Sequence, residues 1–130
     1  MADTGTTTTR ITHVGTVIVP VADQDRALKF YTEKLGFKVA TDQQMGPGRR
    51  WIELRMGKAE TRLVLFTMDG EEGRVGTRMN CSLACDDVEA TFRQFSERGV
   101  EFVSAPAKQP WGTFAIMKDS EGNQFVLGSD

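Results

Sequence analysis

The sequence predicts an α+β fold made of two copies of one β-α-β-β-β unit around a shared small-molecule pocket. Three observations predict the repeat. Short β-rich segments with alternating polarity recur along the 130 residues. Two segments carry apolar residues at helical spacing. Landmarks also return at a nearly constant offset: Asp87 follows Asp23 by 64 residues, Gly99 follows Gly36 by 63, and Phe125-Val126-Leu127 follows Leu63-Val64-Leu65 by 62. A unit of roughly 60 residues is only marginally stable alone, and two units packed together can share a larger core.

Residues 14–21 are β-branched and predict the first strand. Asp23 then serves as N-cap, and Ala27, Phe30, Tyr31 and Leu35 form one helical stripe. Gly36 occupies the place of a C-terminal helix glycine. Strands are expected over 37–45, 50–56 and 61–67, separated by Gly46-Pro47-Gly48 and by residues 57–60. Residues 68–78 are polar and glycine-bearing and read as a linker. The order then repeats, with a strand over 79–85 and Asp87 as N-cap. Val88, Phe92 and Phe95 form the second helical stripe, and Gly99 ends that helix. Strands follow over 100–104, 113–118 and 124–128, with a proline-containing loop over 105–110. The organisation is a tail over 1–10, modules over 11–67 and 79–130, and the linker between them.

The formal net charge is −2, and neither nucleic acid nor an anionic membrane would be drawn to such a chain. No apolar run is long enough to span a bilayer, and the Thr-rich N-terminus lacks the apolar stretch of a secretory signal. Cys81 and Cys85 lie four residues apart within one expected strand, a spacing that disfavours pairing with each other, which gives a reducing, cytoplasmic setting as the expectation.

Alternation sorts the strand residues into two faces. Val17, Val19, Val21, Ile52, Leu54, Leu63, Leu65, Cys81, Leu83, Phe125 and Leu127 belong under the helices. The opposite face carries Thr16, Ile18, Trp51, Glu53, Arg55, Arg62, Val64 and Phe66 from the first module. It carries Asn80, Ser82, Thr113, Gln124 and Val126 from the second, with Trp111 beside them. Aromatic and aliphatic groups mixed with a few charges suit the lining of a ligand pocket better than a solvated sheet. A sheet face covered by a partner subunit is the other reading.

The landmarks resemble those of the vicinal oxygen chelate superfamily, which includes glyoxalases, extradiol dioxygenases and bleomycin-resistance-type binding proteins. The resemblance rests on Val19-Pro20-Val21 before Asp23, Phe30-Tyr31, Leu35-Gly36-Phe37, Asp86 to Ala90, Arg98-Gly99-Val100, and the run from Asp119 to Leu127. It implies a fold and not a reaction. It further implies homodimers. In metal-dependent members His, Gln or Glu ligands occupy places that fall here on Thr16, Val64, Asn80 and Val126. Valine cannot coordinate an ion, and Thr and Asn are poor ligands without carboxylate or imidazole help, so no metal cofactor is expected.

His13 is the chain's one histidine and falls on the apolar parity, as a structural or exposed residue rather than a ligand. Glu53 has the parity for a general base, but Arg55 and Arg62 beside it favour an ion pair. Cys81 and Cys85 read as small buried hydrophobes rather than nucleophiles. Trp51 and Trp111 with nearby arginines suit a planar or acidic organic ligand. The expected function is metal-free binding of a small organic molecule, as a sequestering or resistance-type protein or a metal-independent enzyme. Its rivals are a metal-dependent lyase, isomerase or dioxygenase, and an interaction module whose pocket a partner fills.

Overall fold

A computed structural model describes residues 8–129; the expected tail over 1–10 lies largely outside them. The first module runs β1 (Thr16–Val19), α1 (Gln24–Lys29, continued by a wide turn over Phe30–Lys34), β2 (Lys38–Gly46), β3 (Arg49–Arg55) and β4 (Arg62–Leu65). The second runs β5 (Arg78–Cys85), α2 (Val88–Glu97), β6 (Phe102–Gln109), β7 (Gly112–Lys118) and β8 (Gln124–Ser129). Each module forms its own four-stranded sheet, in the order β1-β4-β3-β2 and β5-β8-β7-β6. The first strand is parallel to the fourth and the other pairs are antiparallel.

Local chemistry sets the helix ends. The Asp23 carboxylate accepts from Arg26 N, and the Asp87 carboxylate accepts from Ala90 N. Gly36 and Gly99 follow the helices at φ +81° and +89°, a conformation that only glycine adopts freely. The first helix widens at Phe30–Lys34, where Leu35 N–H bonds back five residues to Phe30. This turn buries both Phe30 and Tyr31, whose rings meet edge to face at 5.3 Å.

The second module departs from expectation at residues 105–110. They form no loop; β6 continues through Pro106 to Gln109. A proline lacks the ladder donor, so it survives here because β6 is an edge strand whose pairing with β7 is irregular between Ser104 and Ala107. The linker also holds one helical turn, Glu72–Arg74.

One core serves both modules. Ala27, Tyr31, Ile52, Leu54, Leu63 and Leu65 from the first pack in a single cluster with Val100, Met117 and Phe125 from the second. The helix-bearing sides of the two sheets therefore face each other. The mixed faces point outward, on opposite sides of the chain. The sequence left open whether the pocket is shared within one chain or between chains; within this chain what the modules share is the core, because that is where the apolar parity of both sheets is satisfied.

Candidate functional site

The outward face of the first sheet is an organised surface. Its register sets Glu53 opposite Val64 and Arg55 opposite Arg62. Val64 has no exposed surface and forms the floor. Beside it, the Trp51 and Phe66 rings meet with centroids 5.1 Å apart. Trp51 Nε1 donates to Glu53 Oε2 at 2.8 Å, and Arg62 Nη1 donates to Glu53 Oε1 at 3.1 Å. The indole N–H, then the opposing effect of partial burial, then Arg62 leave the Glu53 carboxyl below its ordinary pKa. An ionised, doubly bonded carboxylate is poorly placed to accept a proton, so its role here is to fix the tilt of the Trp51 ring. Arg49 adds a cation 4.6 Å from the centre of the Phe66 ring. Arg49 was not among the expected site residues. Its parity with Trp51 was a usable signal, hidden because the strand was expected to start one residue later. Ile18 is half-buried on the same face, whereas Thr16 and Arg55 are exposed at its end.

The second sheet carries the counterpart. Ser82 pairs with Val126, Ile116 with Val126 and Lys118 with Gln124. Asn80 and Ser82 are exposed on this face, and Gln124 and Val126 are half-buried. Two expected residues are misplaced. Thr113 shares the parity of the buried Ala115 and Met117, so it turns toward the helix side; the outward residues of β7 are Phe114, Ile116 and Lys118. Trp111 is 75% exposed in the turn between β6 and β7, where strand alternation no longer governs direction. Phe114 was missed, although it lies 63 residues after Trp51, within the offset of the repeat. Its ring lies over Gly128, where an added Cβ would stand 3.0 Å from two ring carbons. Gly128→Ala is thus expected to push Phe114 aside and to cost about 1–2 kcal/mol, read as a lower urea midpoint.

The two outward faces do not meet within one chain. The first brings together Ile18, Trp51, Glu53, Arg62, Val64 and Phe66. The second holds Asn80, Ser82, Gln124 and Val126 on the far side of the core. His13 lies on neither; it is exposed, 3.0 Å from Thr12 Oγ1 and 3.5 Å from Glu60. Cys81 and Cys85 are unpaired and half-buried against the core clusters, and burial raises the Cys81 thiol pKa.

Residues 10–127 match the family model described as the glyoxalase/bleomycin resistance protein/dioxygenase superfamily. The chain belongs to that superfamily. This superfamily member is 40% identical to the uncharacterized protein YetH of Bacillus subtilis (strain 168) over 117 residues, 90% of this chain and 98% of YetH. A superfamily structure from Sphaerobacter thermophilus DSM 20745 matches with a TM-score of 0.83 and 32% identity, covering 92% and 98% of the two chains. TnmS3, an antibiotic binding protein from Streptomyces sp. CB03234, matches with a TM-score of 0.80 and 35% identity, covering 94% and 98%.

At the places where metal-dependent superfamily members carry ligands, this member has Thr16, Val64, Asn80 and Val126. Val64 is fully buried, Val126 is half-buried, and Thr16 and Asn80 are exposed. Among the described residues no three His, Cys, Asp or Glu side chains converge on one point. This donor set does not fit a divalent ion. No helix among the described residues is long and apolar enough to cross a membrane.

The Asp119–Asn123 turn, matched above only as a superfamily landmark, joins the two modules. The Glu121 side chain has no exposed surface. It accepts from Ala22 N and Asp23 N at 2.9 Å each, and from Arg26 Nε and Nη2 at 2.8 and 3.0 Å. Tyr31 donates to Asp119 at 2.6 Å, and Asn123 Nδ2 donates to the Pro20 carbonyl at 2.8 Å. Desolvation, the largest influence on Glu121, opposes ionisation. The Arg26, Asp23, Ser120 and Ala22 hydrogen bonds together outweigh it and hold the carboxyl pKa at about 2.

Proposed function

We propose that this protein binds and sequesters a small organic molecule, without a metal ion, in a pocket closed between two copies of the chain. The carrying observation is the first sheet's outward face: an aromatic shelf of Trp51 and Phe66, its tilt set by Glu53, over a valine floor where a metal would need a ligand. A pre-set aromatic surface loses little entropy on binding. The 35% identity to an antibiotic binding protein supports the same reading.

The outward faces support a second copy. Each is one open wall, and a pocket that buries most of a ligand needs two. The first-sheet face of one copy is proposed to meet the second-sheet face of the other, giving two equivalent sites and covering exposed edges. The reading places the protein in the cytoplasm, with Cys81 and Cys85 as thiols, and gives it no nucleic-acid or membrane partner.

Light scattering on eluting full-length protein is expected to report a homodimer at micromolar concentration; a monomer would contradict the two-copy pocket. Elemental analysis of untagged protein is expected to find well under one Zn, Ni, Mn or Fe per site, and chelators should leave ligand binding unchanged. Native mass spectrometry is expected to show a retained organic molecule that denaturation releases. Stoichiometric metal together with chelator-sensitive turnover would replace this reading with that of an enzyme.

A further inference from the structure

Beyond the end of the aromatic shelf the linker folds over the first sheet and roofs a cavity of about 240 Å³. Ile18, Pro20 and Phe66 line it from the sheet side, Met68 from the linker and Met79 from β5. The charged residues in its wall, Glu71 and Arg74, are paired with each other at 3.0 Å. The cavity thus offers apolar surface and no unmatched charge. At the opposite end of the same face, Arg62 is already engaged by Glu53. Arg55, its cross-strand neighbour, is exposed. Among the described residues no carboxylate lies within salt-bridge distance of Arg55. From Phe66 to Arg62 the strand runs roughly 13 Å. One face therefore carries an apolar hole at one end with the aromatic shelf beside it, the neutralised Glu53–Arg62 pair in the middle and an available guanidinium at the other end.

Resting on the binding function proposed above, we infer that the ligand is an elongated aromatic acid: its ring system enters the linker-roofed cavity across Trp51 and Phe66, and its anionic group meets Arg55. The volume sets the size of the buried end. A cavity of about 150 Å³ takes a single benzene ring, so this one admits roughly two fused rings. Methionine walls adapt to ring shape. The linker, through Met68, then decides which ring systems are accepted.

Titration calorimetry on the full-length protein tests this with benzenesulfonate, 2-naphthalenesulfonate and neutral 2-naphthalenemethanol. The naphthalene acid is expected to bind about tenfold more tightly than the benzene acid, as the second ring buries further apolar area. Met68→Trp, in the exposed linker, and Ile18→Trp, from the floor, each fill the cavity and should erase that preference, with melting temperature confirming the fold. Arg55→Ala should weaken the naphthalene acid about tenfold and leave the neutral alcohol nearly unchanged. A ring-size preference that survives both tryptophan variants overturns the cavity subsite. Equal binding of both acids to the native protein overturns it too, while leaving the binding function standing. No binding of any probe overturns the aromatic-acid inference, whereas the binding function itself falls only if native mass spectrometry finds no retained organic molecule.

Discussion

Glu121→Ala is expected to lower stability at neutral pH by about 3 kcal/mol, a large share of the roughly 5–15 kcal/mol that holds a domain of this size together. Alanine would leave the Ala22 and Asp23 N–H groups without acceptors in a part-buried setting, and each orphaned donor costs about 1–3 kcal/mol. Arg26 is 54% exposed, so water would take over its solvation, which keeps the loss below that of a fully buried pair. The same carboxylate sets an acid limb. Its folded pKa of about 2 lies below an unfolded value near 4.3. Between these values the unfolded chain binds more protons, so stability falls as pH falls. The contribution is fully present above roughly pH 5 and is lost as pH drops through about 2, on the order of 2–3 kcal/mol with allowance for the exposed Arg26. Urea midpoints at pH 7, 4 and 2.5 check both parts. Glu121→Gln should be less stable at pH 7 and show a flatter acid limb. A wild-type limb no steeper than that of Glu121→Gln would mean that Glu121 is not the titrating group.

Trp51→Ala is expected to weaken ligand binding at least about tenfold and leave the fold intact. Stacking on a buried aromatic adds on the order of 1 kcal/mol beyond area burial. The truncation also frees Glu53 from its indole donor, so a carboxylate held by Arg62 alone would face the ligand. Arg55→Ala should show a comparable loss for an acidic ligand. Cys81→Ser is the control. Cys81 packs against the shared core, so serine there should lower the melting temperature and leave affinity nearly unchanged. Calorimetric affinity and melting temperature, measured together on all three variants, decide the matter. Binding abolished by Cys81→Ser and untouched by Trp51→Ala would mean that the ligand sits on the helix side of the sheet.

The repeat, the helix caps and the sorting of most strand residues into faces were legible because they depend on neighbours in sequence. Asp23, Gly36, Asp87 and Gly99 act within a few residues of themselves, and the alternation of Ile52 with Glu53 is a property of any strand. The direction in which the two sheets turn was not legible. It depends on contacts between modules, such as Tyr31 with Asp119, 88 residues apart, which no local pattern announces. Pro106 misled for a related reason: proline argues against a strand unless that strand is an edge, and edge status belongs to the whole sheet. Thr113 was set on the wrong face because the strand pairing that sorts Phe114 and Ile116 outward was not available from residue type alone. Glu121 was read as part of a turn, since its partners at Ala22, Asp23 and Arg26 lie about a hundred residues earlier.

That separation has a consequence for a chain made from its N-terminus onward. The first helix emerges early, yet the carboxylate that receives Ala22 and Asp23, and the one that receives Tyr31, are made roughly ninety to a hundred residues later. Until they leave the ribosome, the Tyr31 hydroxyl has no protein partner in an otherwise apolar surrounding, and the first half must wait in an unfinished state. Emergence of the Asp119–Asn123 turn, rather than completion of the first half, is then the moment at which the protein locks. A nascent chain stalled after α2 should remain open to proteases along its whole length, its early residues included.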